Sequence, residues 1–408
     1  MARRYQPGDA VIIGFGDAYA RMGEGRKPLD LAGECVRKAL ADSGIDKQQI
    51  DAVFTGRAPW ADMRPQWNNI LASYLKIISM HGTEVTVHGA GVNSTLKHAA
   101  LAVVTGVSEF ALCLEADSAA MFSDAVARTA RVDADPNYEL PYGAFIPAVH
   151  AQWGSRYCHE YGVTDEERAL VAVQHQNWAV HHPYAVKADK GTITVQEVLE
   201  SPLVASPLHL WECSRWGPGG TGGAFIVTTR EKAAELGVAH PVEILGFGEC
   251  CTHEYITDRL GLRDGPAELG PLPNLLYTGA AVAGRAAYEV AGIGPEDIDI
   301  VQLGAPFTHY VLMLLEDLGF CDRGQAREFI AAGRGDIGGD LPVNTNGGWI
   351  SFGQPGISCA MDSLIEAVRQ LRGQALGKQV DNPRTALVHA AGGMMACNAV
   401  TLLGAAGQ

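Results

Sequence analysis

Two stretches of the chain share a pattern in which small residues lead into a helix with one apolar face. In residues 85–106, "VTVHGAGVNSTLKHAALAVVTG", a short apolar strand comes first, and Asn93 or Ser94 is placed to cap the helix that follows. The apolar residues then recur at the three- and four-residue spacing of an amphipathic helix, and the same spacing returns over about 356–372. These residues are Val92, Leu96, Ala99, Ala100, Val103, Val104 and Val107 in the first stretch, and Ile357, Ala360, Met361, Leu364, Ile365, Val368 and Leu371 in the second.

An internal repeat indicates a duplicated fold. The segment "SGIDKQQIDAVFTG" (43–56) reads like "AGIGPEDIDIVQLG" (291–304), because each has Gly-Ile, a polar turn, Ile-Asp and an apolar strand ending in glycine. A helical pattern precedes each copy, and a glycine-rich turn with an amphipathic helix follows it. Two similar halves of alternating strands and helices predict a duplicated α/β fold, although two unrelated helix–strand units could also look alike.

The repeat divides the chain into two halves of unequal regularity. We place the N-terminal half at residues 1–240 and the C-terminal half at residues 241–408. Within the first half, residues 117–220 are less regular, and much of this excursion is rich in proline, glycine and aromatic residues. A long excursion from a compact α/β core is usually functional, so we expect a lid or an interface there.

Net charge and cysteine content argue against several classes of binding partner and site. The formal net charge of −15 argues against a nucleic-acid or anionic-membrane surface. The nine cysteines include no CxxC pair, so we expect free thiols in a reducing cytoplasm and no metal site in this chain. No apolar run approaches ~18 residues and no cleavable signal is evident, so we expect a cytoplasmic protein without a transmembrane helix.

The short motifs in the chain are weak evidence for any particular cofactor, nucleophile or metal site. Gly14 and Gly16 follow a strand, but Tyr19 stands where a dinucleotide fingerprint needs glycine, so a tight turn is the better interpretation. Ser94 lacks the preceding glycine of a nucleophile elbow and fits a helix cap better. The adjacent histidines of "HHPY" (181–184) and the adjacent cysteines at 250–251 fit packing better than metal binding.

Longer strings in order along the chain carry a resemblance to a known family. They are "STLKHAALAVVTG", "YCHEYGVTDEERALVAVQHQNWAVHHPYA", "EDLGFCDRGQAREFI", "VNTNGGWISFGQPG" and "LVHAAGGMMACNAVTLL". Through them the chain resembles the thiolase superfamily, in particular its sterol-carrier-protein-type branch, almost from end to end. The resemblance implies a five-layered αβαβα fold of two βαβαβαββ halves, an acyl-CoA site between them, and at least a homodimer.

The chain departs from the family at each catalytic loop. In thiolases a cysteine at a helix N-terminus is acylated, a histidine in a Gly-His-Pro loop activates it, and two further loops move a proton and stabilise an oxyanion. Here the nucleophile position holds Gly89. The other loops read Gly304-Ala305-Pro306-Phe307, Gly353-Gln354-Pro355 and His389-Ala390-Ala391. Because a glycine cannot form an acyl-enzyme, ordinary thiolase chemistry at position 89 is disfavoured.

The first functional hypothesis is retro-aldol cleavage of a β-hydroxyacyl-CoA, which needs no nucleophile. The resemblance extends to thiolase-like steroid side-chain aldolases, which work with a partner carrying a zinc ribbon and an OB fold. Those aldolases have tyrosines in two of the loops, where this chain has Gly304 and Gln354. The candidate catalytic residues are His88, His309, Tyr310, His389 and Gln354, and each histidine could equally be structural. The candidate substrate-binding residues are Gly89, Asn344, Gly353, Tyr142 and Gly392.

Two further hypotheses remain open at the level of sequence. The chain could be a non-catalytic subunit that binds acyl-CoA or supports a catalytic partner. It could also be an acyltransferase with a displaced nucleophile, for which Ser94 and Cys359 are the candidates. In every case coenzyme A enters as the thioester of the substrate.

Overall fold

The computed structural model describes residues 5–62, 64–118, 134–143, 145–259 and 274–406 of the chain. The strands are β1 (Ala10–Ala20), β2 (Ala52–Gly56), β3 (His81–Val85), β4 (Ala111–Asp117), β5 (Leu203–Ala205), β6 (Leu208–His209), β7 (Gly220–Thr229), β8 (Val242–Cys251), β9 (Ile300–Leu303), β10 (Thr385–Gly392) and β11 (Cys397–Ala405). The helices are α1 (Pro28–Ser43), α2 (Trp67–Leu75), α3 (Gly91–Val104), α4 (Ile146–Tyr161), α5 (Asp165–Ala179), α6 (Val195–Glu200), α7 (Arg230–Glu235), α8 (Ala280–Ala291), α9 (Thr308–Asp317), α10 (Ala326–Ala331), α11 (Gly348–Ser351) and α12 (Cys359–Leu371).

The strands divide between the two halves of the chain. Their order is β3-β2-β4-β7-β1-β8-β11-β10-β9, and β5 and β6 form a separate hairpin. The first five strands belong to the N-terminal half and the last four to the C-terminal half. Among the described residues, the two half-sheets meet only where Val11 and Ile12 of β1 pair with β8. The C-terminal half-sheet begins in the sequence with β8 at Val242.

Two helices lie between the half-sheets. Both α3 and α12 pack against strands of both halves and against each other. Their apolar faces form a central core with inward residues such as Ile12, Phe54, Val388 and Leu403. A second core lies between α1 and the N-terminal strands, and a third beneath α8 and α9 on the C-terminal side. This is the predicted five-layered αβαβα arrangement.

The internal repeat has the same structure in both copies. α1 and α8 each end at a glycine in the left-handed conformation, Gly44 (φ 73°) and Gly292 (φ 69°), where a side chain would be strained. A short 3₁₀ turn and a strand, β2 or β9, follow in each case. In each copy an aspartate before the strand, Asp51 or Asp299, accepts main-chain N–H groups at the start of a neighbouring segment. The two copies of the repeat therefore form the same helix–turn–strand unit.

The local predictions were less accurate than the overall one. α3 begins at Gly91, so the prediction that Asn93 or Ser94 caps it is wrong, and both residues lie buried inside its first turn. The Asn93 side chain instead donates to the Val388 carbonyl across the central layer (3.0 Å). α12 begins at Cys359, three residues later than the apolar spacing suggested.

The excursion at 117–220 is partly outside the described residues, but its second part is well structured. It contains α4, α5, α6 and the β5–β6 hairpin. Although it belongs to the N-terminal half of the sequence, α4 and α5 pack against α9 of the C-terminal half. It therefore covers the carboxyl-end loops of the second half-sheet. Over the described part of the chain, every helix is too short or too polar to span a membrane.

Candidate active site

A cavity of about 320 Å³ lies where the loops of both halves meet the excursion. It is bounded by the turn before α3, the loops after β2, β9 and β10, the loop before α12, and the start of α4. Most of its walls are apolar or aromatic. The lining residues are Arg57, Trp60, His88, Gly89, Phe145, Ile146, Pro147, His150, Val204, Leu210, Cys213, Ser214, Trp216, Pro306, Phe307, Trp349, Gln354, Gly356, Ile357, Cys359, Ala391, Gly392, Gly393, Met394 and Met395.

The turn before α3 leaves no room for a nucleophile. A Cβ atom at Gly89 would lie 2.5 Å from the main-chain oxygen of Ala391, which is far inside van der Waals contact. The facing glycine is equally constrained, because a Cβ at Gly392 would overlap the Val87 oxygen and the His88 side chain. The two turns thus interlock through their main chains. This packing explains why glycine occupies both positions.

His88 is oriented by a cation. Its backbone has a positive φ of 49°, and the Nη1 atom of Arg57 lies 3.3 Å from its Nδ1 atom. A guanidinium can only donate, so Nδ1 accepts and the hydrogen of the neutral ring is on Nε2. His88 therefore offers an N–H donor rather than a basic nitrogen.

Gln354 is oriented by a serine from the excursion. The Ser214 hydroxyl donates to Gln354 Oε1 (2.9 Å), and the Gln354 main-chain N–H donates to the Arg215 carbonyl (2.8 Å). With Oε1 engaged, the amide –NH₂ makes no hydrogen bond to any described residue. This side chain is a second N–H donor on the cavity wall.

His150 and Tyr310 form a buried hydrogen-bonded pair at the cavity. His150 Nδ1 lies 2.6 Å from the Tyr310 hydroxyl, and its ring packs against Phe307. Burial lowers the pKa of His150 to about 3, so its ring is neutral at physiological pH. His150 Nε2 has no hydrogen-bond partner among the described residues. A hydroxyl can donate or accept, so this ring can carry its proton on either nitrogen without losing its partner.

Sequence reasoning missed His150 and Arg57. His150 lies in the aromatic-rich excursion and meets Tyr310 across 160 residues, so no local spacing marks it. The aromatic and proline content of "AFIPAVHAQWG" (144–154) was the one available signal. Arg57 immediately follows the glycine that ends the first copy of the repeat, which is where ligand-contacting loops begin in α/β sheets.

Asp117 holds two walls of the cavity together. Its carboxylate, at the end of β4, accepts the N–H groups of Trp60 (3.0 Å) and Ile357 (3.1 Å). The Trp60 ring faces the Trp216 ring with a centroid separation of 5.0 Å. These contacts build an aromatic wall from segments far apart in the sequence.

The cavity cysteines are not activated. Cys359 stands at the first turn of α12, but burial raises the pKa of its thiol well above the ordinary value. Burial likewise raises the pKa of the Cys213 thiol to about 12. Both are therefore protonated at neutral pH, and a thiolate is the form that attacks a thioester. Ser94, the other candidate for a displaced nucleophile, is buried within α3 and does not line the cavity.

The structure does not bring His389 or His309 to the cavity wall. His389 is fully buried on β10, bonded through Nε2 to Asn398 Oδ1 (3.0 Å), and burial lowers its pKa to about 4. His309 lies behind Phe307, and neither ring nitrogen has a partner among the described residues. Burial lowers the pKa of His309 far below the ordinary value. Both rings are therefore neutral.

Of the predicted substrate-binding residues, some line the cavity and others do not. Gly89 and Gly392 line the cavity, whereas Asn344, Gly353 and Tyr142 do not. The Asn344 side chain accepts from the Leu303 N–H (2.6 Å) and contacts His175 Nε2 (2.7 Å), which is a structural arrangement. The Tyr142 side chain is 88% exposed. Within the described ranges, no three His, Cys, Asp or Glu residues are grouped so as to hold a metal ion.

Comparisons with known proteins agree with this architecture. A family described as "Thiolase C-terminal domain-like" matches residues 267–405. The chain is 32% identical to a steroid side-chain-cleaving aldolase of Thermomonospora curvata, over 92% of this chain and 93% of that protein. It is 31% identical to the 17-hydroxy-3-oxo-4-pregnene-20-carboxyl-CoA lyase of Mycobacterium tuberculosis, over 90% and 93%. The solved structure of an Ltp2–ChsH2(DUF35) aldolase superposes with a TM-score of 0.81, at 30% identity, over 99% of this chain and 100% of that one.

The duplicated five-layered fold and the loop cavity between its halves define a thiolase-like protein without the nucleophilic cysteine. The chain belongs to the thiolase superfamily, in the branch that contains the acyl-CoA aldolases.

Proposed function

We propose that this protein cleaves the Cα–Cβ bond of a β-hydroxyacyl-CoA by a retro-aldol reaction that forms no acyl-enzyme. One observation carries the proposal: the cavity wall offers the N–H donors of His88 and Gln354, and Gly89 leaves no space for a nucleophilic side chain. The relatives named as an aldolase and a lyase support the same reaction class.

The reaction needs two kinds of assistance. The β-hydroxyl gives up its proton and becomes a ketone or aldehyde as the Cα–Cβ bond breaks. The bonding electrons move into the thioester, which becomes an enolate and then takes a proton on its α-carbon. The protein must therefore stabilise charge on the thioester oxygen and move a proton from the β-oxygen toward the α-carbon.

His88 and Gln354 are suited to the thioester oxygen. Each offers an N–H group whose direction is fixed by a partner, Arg57 for His88 and Ser214 for Gln354. Donors fixed in advance stabilise developing negative charge more than donors that must reorient during the reaction. We assign the two side chains to the enolate oxygen.

His150 is suited to the proton transfer. When the ring hydrogen is on Nδ1 and donated to the Tyr310 hydroxyl, Nε2 is free to accept the β-hydroxyl proton. The ring is then a transient imidazolium, and it becomes neutral again by giving the Nε2 proton to the α-carbon of the enolate. His88 cannot change in this way, because the Arg57 guanidinium never accepts. The pair of His150 and Tyr310 therefore acts as the acid–base group.

Apolar and aromatic walls favour a bulky apolar acyl group. Trp60, Trp216, Phe145 and Phe307 line much of the cavity, and its volume of about 320 Å³ accommodates several fused rings. The relatives named for steroid substrates fit this expectation.

The test is a panel of β-hydroxyacyl-CoA and β-ketoacyl-CoA thioesters of increasing size. We expect a ketone or aldehyde and a shortened acyl-CoA from the β-hydroxy series, without added coenzyme A. The matched variant H150F should lose at least ~10²-fold in kcat and still bind the thioester. Cleavage of only the β-keto series, and only with free coenzyme A, would show acyl transfer instead.

A second candidate function is that of a non-catalytic subunit that binds acyl-CoA. The observation in its favour is the departure from the family sequence at every catalytic loop. The similar Ltp2–ChsH2(DUF35) aldolase is named for two components, and we propose a zinc-ribbon and OB-fold accessory subunit for this chain as well. Assaying the panel with and without a co-encoded partner of that kind separates the two functions, because a binding subunit turns over in neither case.

We further propose a homodimer that forms along β3. This strand is the edge of the N-terminal half-sheet, and Ile78 and Met80 just before it are 86% and 82% exposed. Exposed edge strands with apolar neighbours commonly pair with a second chain. Light scattering coupled to size-exclusion chromatography should give twice the chain mass, and I78D/M80D should give the monomer.

A further inference from the structure

Lys187 is a buried amine without an acidic partner. Its side chain is 4% exposed, and no aspartate or glutamate of the described residues lies within ion-pair distance. Its Nζ atom donates to the carbonyls of Trp211 (3.4 Å) and Cys213 (3.3 Å) and lies 4.9 Å from the centre of the Trp211 ring. Burying an ammonium group costs free energy unless its partners compensate. Such a residue therefore needs an explanation.

The main chain at Lys187 is hydrogen-bonded to a second segment, residues 351–352. The Lys187 N–H donates to the Ser351 carbonyl (3.2 Å), and the Val186 N–H donates to the Phe352 carbonyl (2.8 Å). On the other side, Gln176 donates to the Lys187 carbonyl (2.9 Å). The residue is thus fixed to the segment that leads directly into Gln354.

The two segments that Lys187 contacts meet at the cavity. Its side chain holds residues 211–213, which lead into Ser214, and its main chain holds residues 351–352, which lead into Gln354. Ser214 and Gln354 are hydrogen-bonded to each other there. Lys187 is therefore hydrogen-bonded to both of the segments, 211–213 and 351–352, that position the Gln354 amide.

We propose that Lys187 is a positioning residue, whose Nζ amine holds the 211–213 carbonyls against the 351–352 segment so that the Gln354 N–H faces the thioester oxygen. The inference rests on the proposed role of Gln354 as an enolate donor. A donor that drifts from its position loses most of its benefit in the transition state, where the charge is greatest. Loss of Lys187 should therefore lower kcat more than it raises KM.

The experiment is a double-mutant cycle. K187M keeps the aliphatic stem and removes the amine, Q354A removes the donor, and K190M is the matched control at an exposed lysine three residues on. We expect K187M to lower kcat at least ~10-fold, to have little further effect in a Q354A background, and K190M to match the wild type. Additive losses in K187M/Q354A, or an unchanged kcat in K187M, would overturn the inference.

Failure of the inference can be distinguished from failure of the proposed function. If the wild type turns over but the cycle is additive, only the role of Lys187 is wrong. If the wild type turns over no thioester, the same cycle is run on the dissociation constant for acetyl-CoA, where coupling between positions 187 and 354 supports the inference and additivity refutes it. If K187M does not fold by circular dichroism, K187Q, which keeps N–H donors without the charge, replaces it under the same criteria.

Discussion

Replacing Lys187 with methionine should change how the stability of the protein depends on pH. Burial lowers the pKa of Lys187 from 10.5 to about 7; Cys213 opposes this lowering, and Arg215 adds a smaller lowering. At pH values between about 7 and 10.5, Lys187 is protonated in the unfolded chain and has lost its proton in the folded protein. The free energy of unfolding that is due to Lys187 therefore increases as the pH rises. This direction is opposite to that of a lysine in a salt bridge.

The magnitude follows from the gap between the two pKa values. Each pH unit inside the gap corresponds to at most about 1.4 kcal/mol. Between pH 7.5 and pH 9 the folded protein has already lost most of the proton, so the wild type should gain about 2 kcal/mol relative to K187M. Of the neighbouring side chains, His175 is neutral throughout this range, since burial lowers its pKa to about 4. It does not contribute to the difference.

The assay is denaturant unfolding of both proteins at pH 7.5 and pH 9, followed by tryptophan fluorescence. The quantity compared is the change with pH in the stability difference between wild type and K187M, which cancels other titrating groups. K190M should show no such change, because its lysine is exposed. A stability difference that stays constant or falls as the pH rises would show that Lys187 is buried as a fully charged amine.

Three further predictions concern the cavity itself. Y310F should lower kcat by ~10-fold or more with little change in KM, measured on the preferred β-hydroxyacyl-CoA, because His150 loses its reversible partner; an unchanged kcat would remove the pair from the mechanism. G89C should not acquire thiolase activity and should unfold at lower denaturant, because its side chain meets the Ala391 oxygen; an acyl-enzyme detected by mass spectrometry would contradict this. C359A should keep the aldolase activity, and iodoacetamide should not inactivate the wild type at pH 7, because burial keeps the Cys359 thiol protonated through its raised pKa; rapid inactivation would revive a displaced nucleophile.

The duplicated α/β arrangement could be predicted from the residues because the relevant signals are local, whereas the five-layered fold followed from the family resemblance. The apolar period of α3 and α12 and the repeat around Gly44 and Gly292 each depend on neighbours within one helix or one turn. Burial between two sheets requires that period, so it survives in the sequence. The start of α3 was misplaced because glycine and alanine at its first turn give no capping signal.

The predicted site residues that line the cavity are those next to the ends of strands and helices. His88, Gly89, Gln354 and Gly392 adjoin elements whose order could be inferred, and all four line the cavity. The positions of His309 and His389 depend on which way a buried ring points, and both point into the core.

Other contacts could not be predicted because their partners are far apart in the chain. The pairs Arg57–His88, His150–Tyr310 and Ser214–Gln354 are 31, 160 and 140 residues apart. Two of the pairs depend on the packing of the excursion against the C-terminal half, and the Arg57–His88 pair joins two loops of the N-terminal half. No spacing rule within a single segment records such a contact.

The absence of the nucleophile is connected to the rest of the site rather than confined to one position. The Ala391 oxygen occupies the space where a side chain at residue 89 would begin. In the same way, the Val87 oxygen occupies the space where a side chain at residue 392 would begin. A cysteine at position 89 would therefore require the end of β10 to move, together with the turn that follows it. That turn carries Met394 and Met395 on the cavity wall. Gly89 and Gly392 are thus each packed against the main chain of the facing segment, so a side chain at either position would disturb both segments.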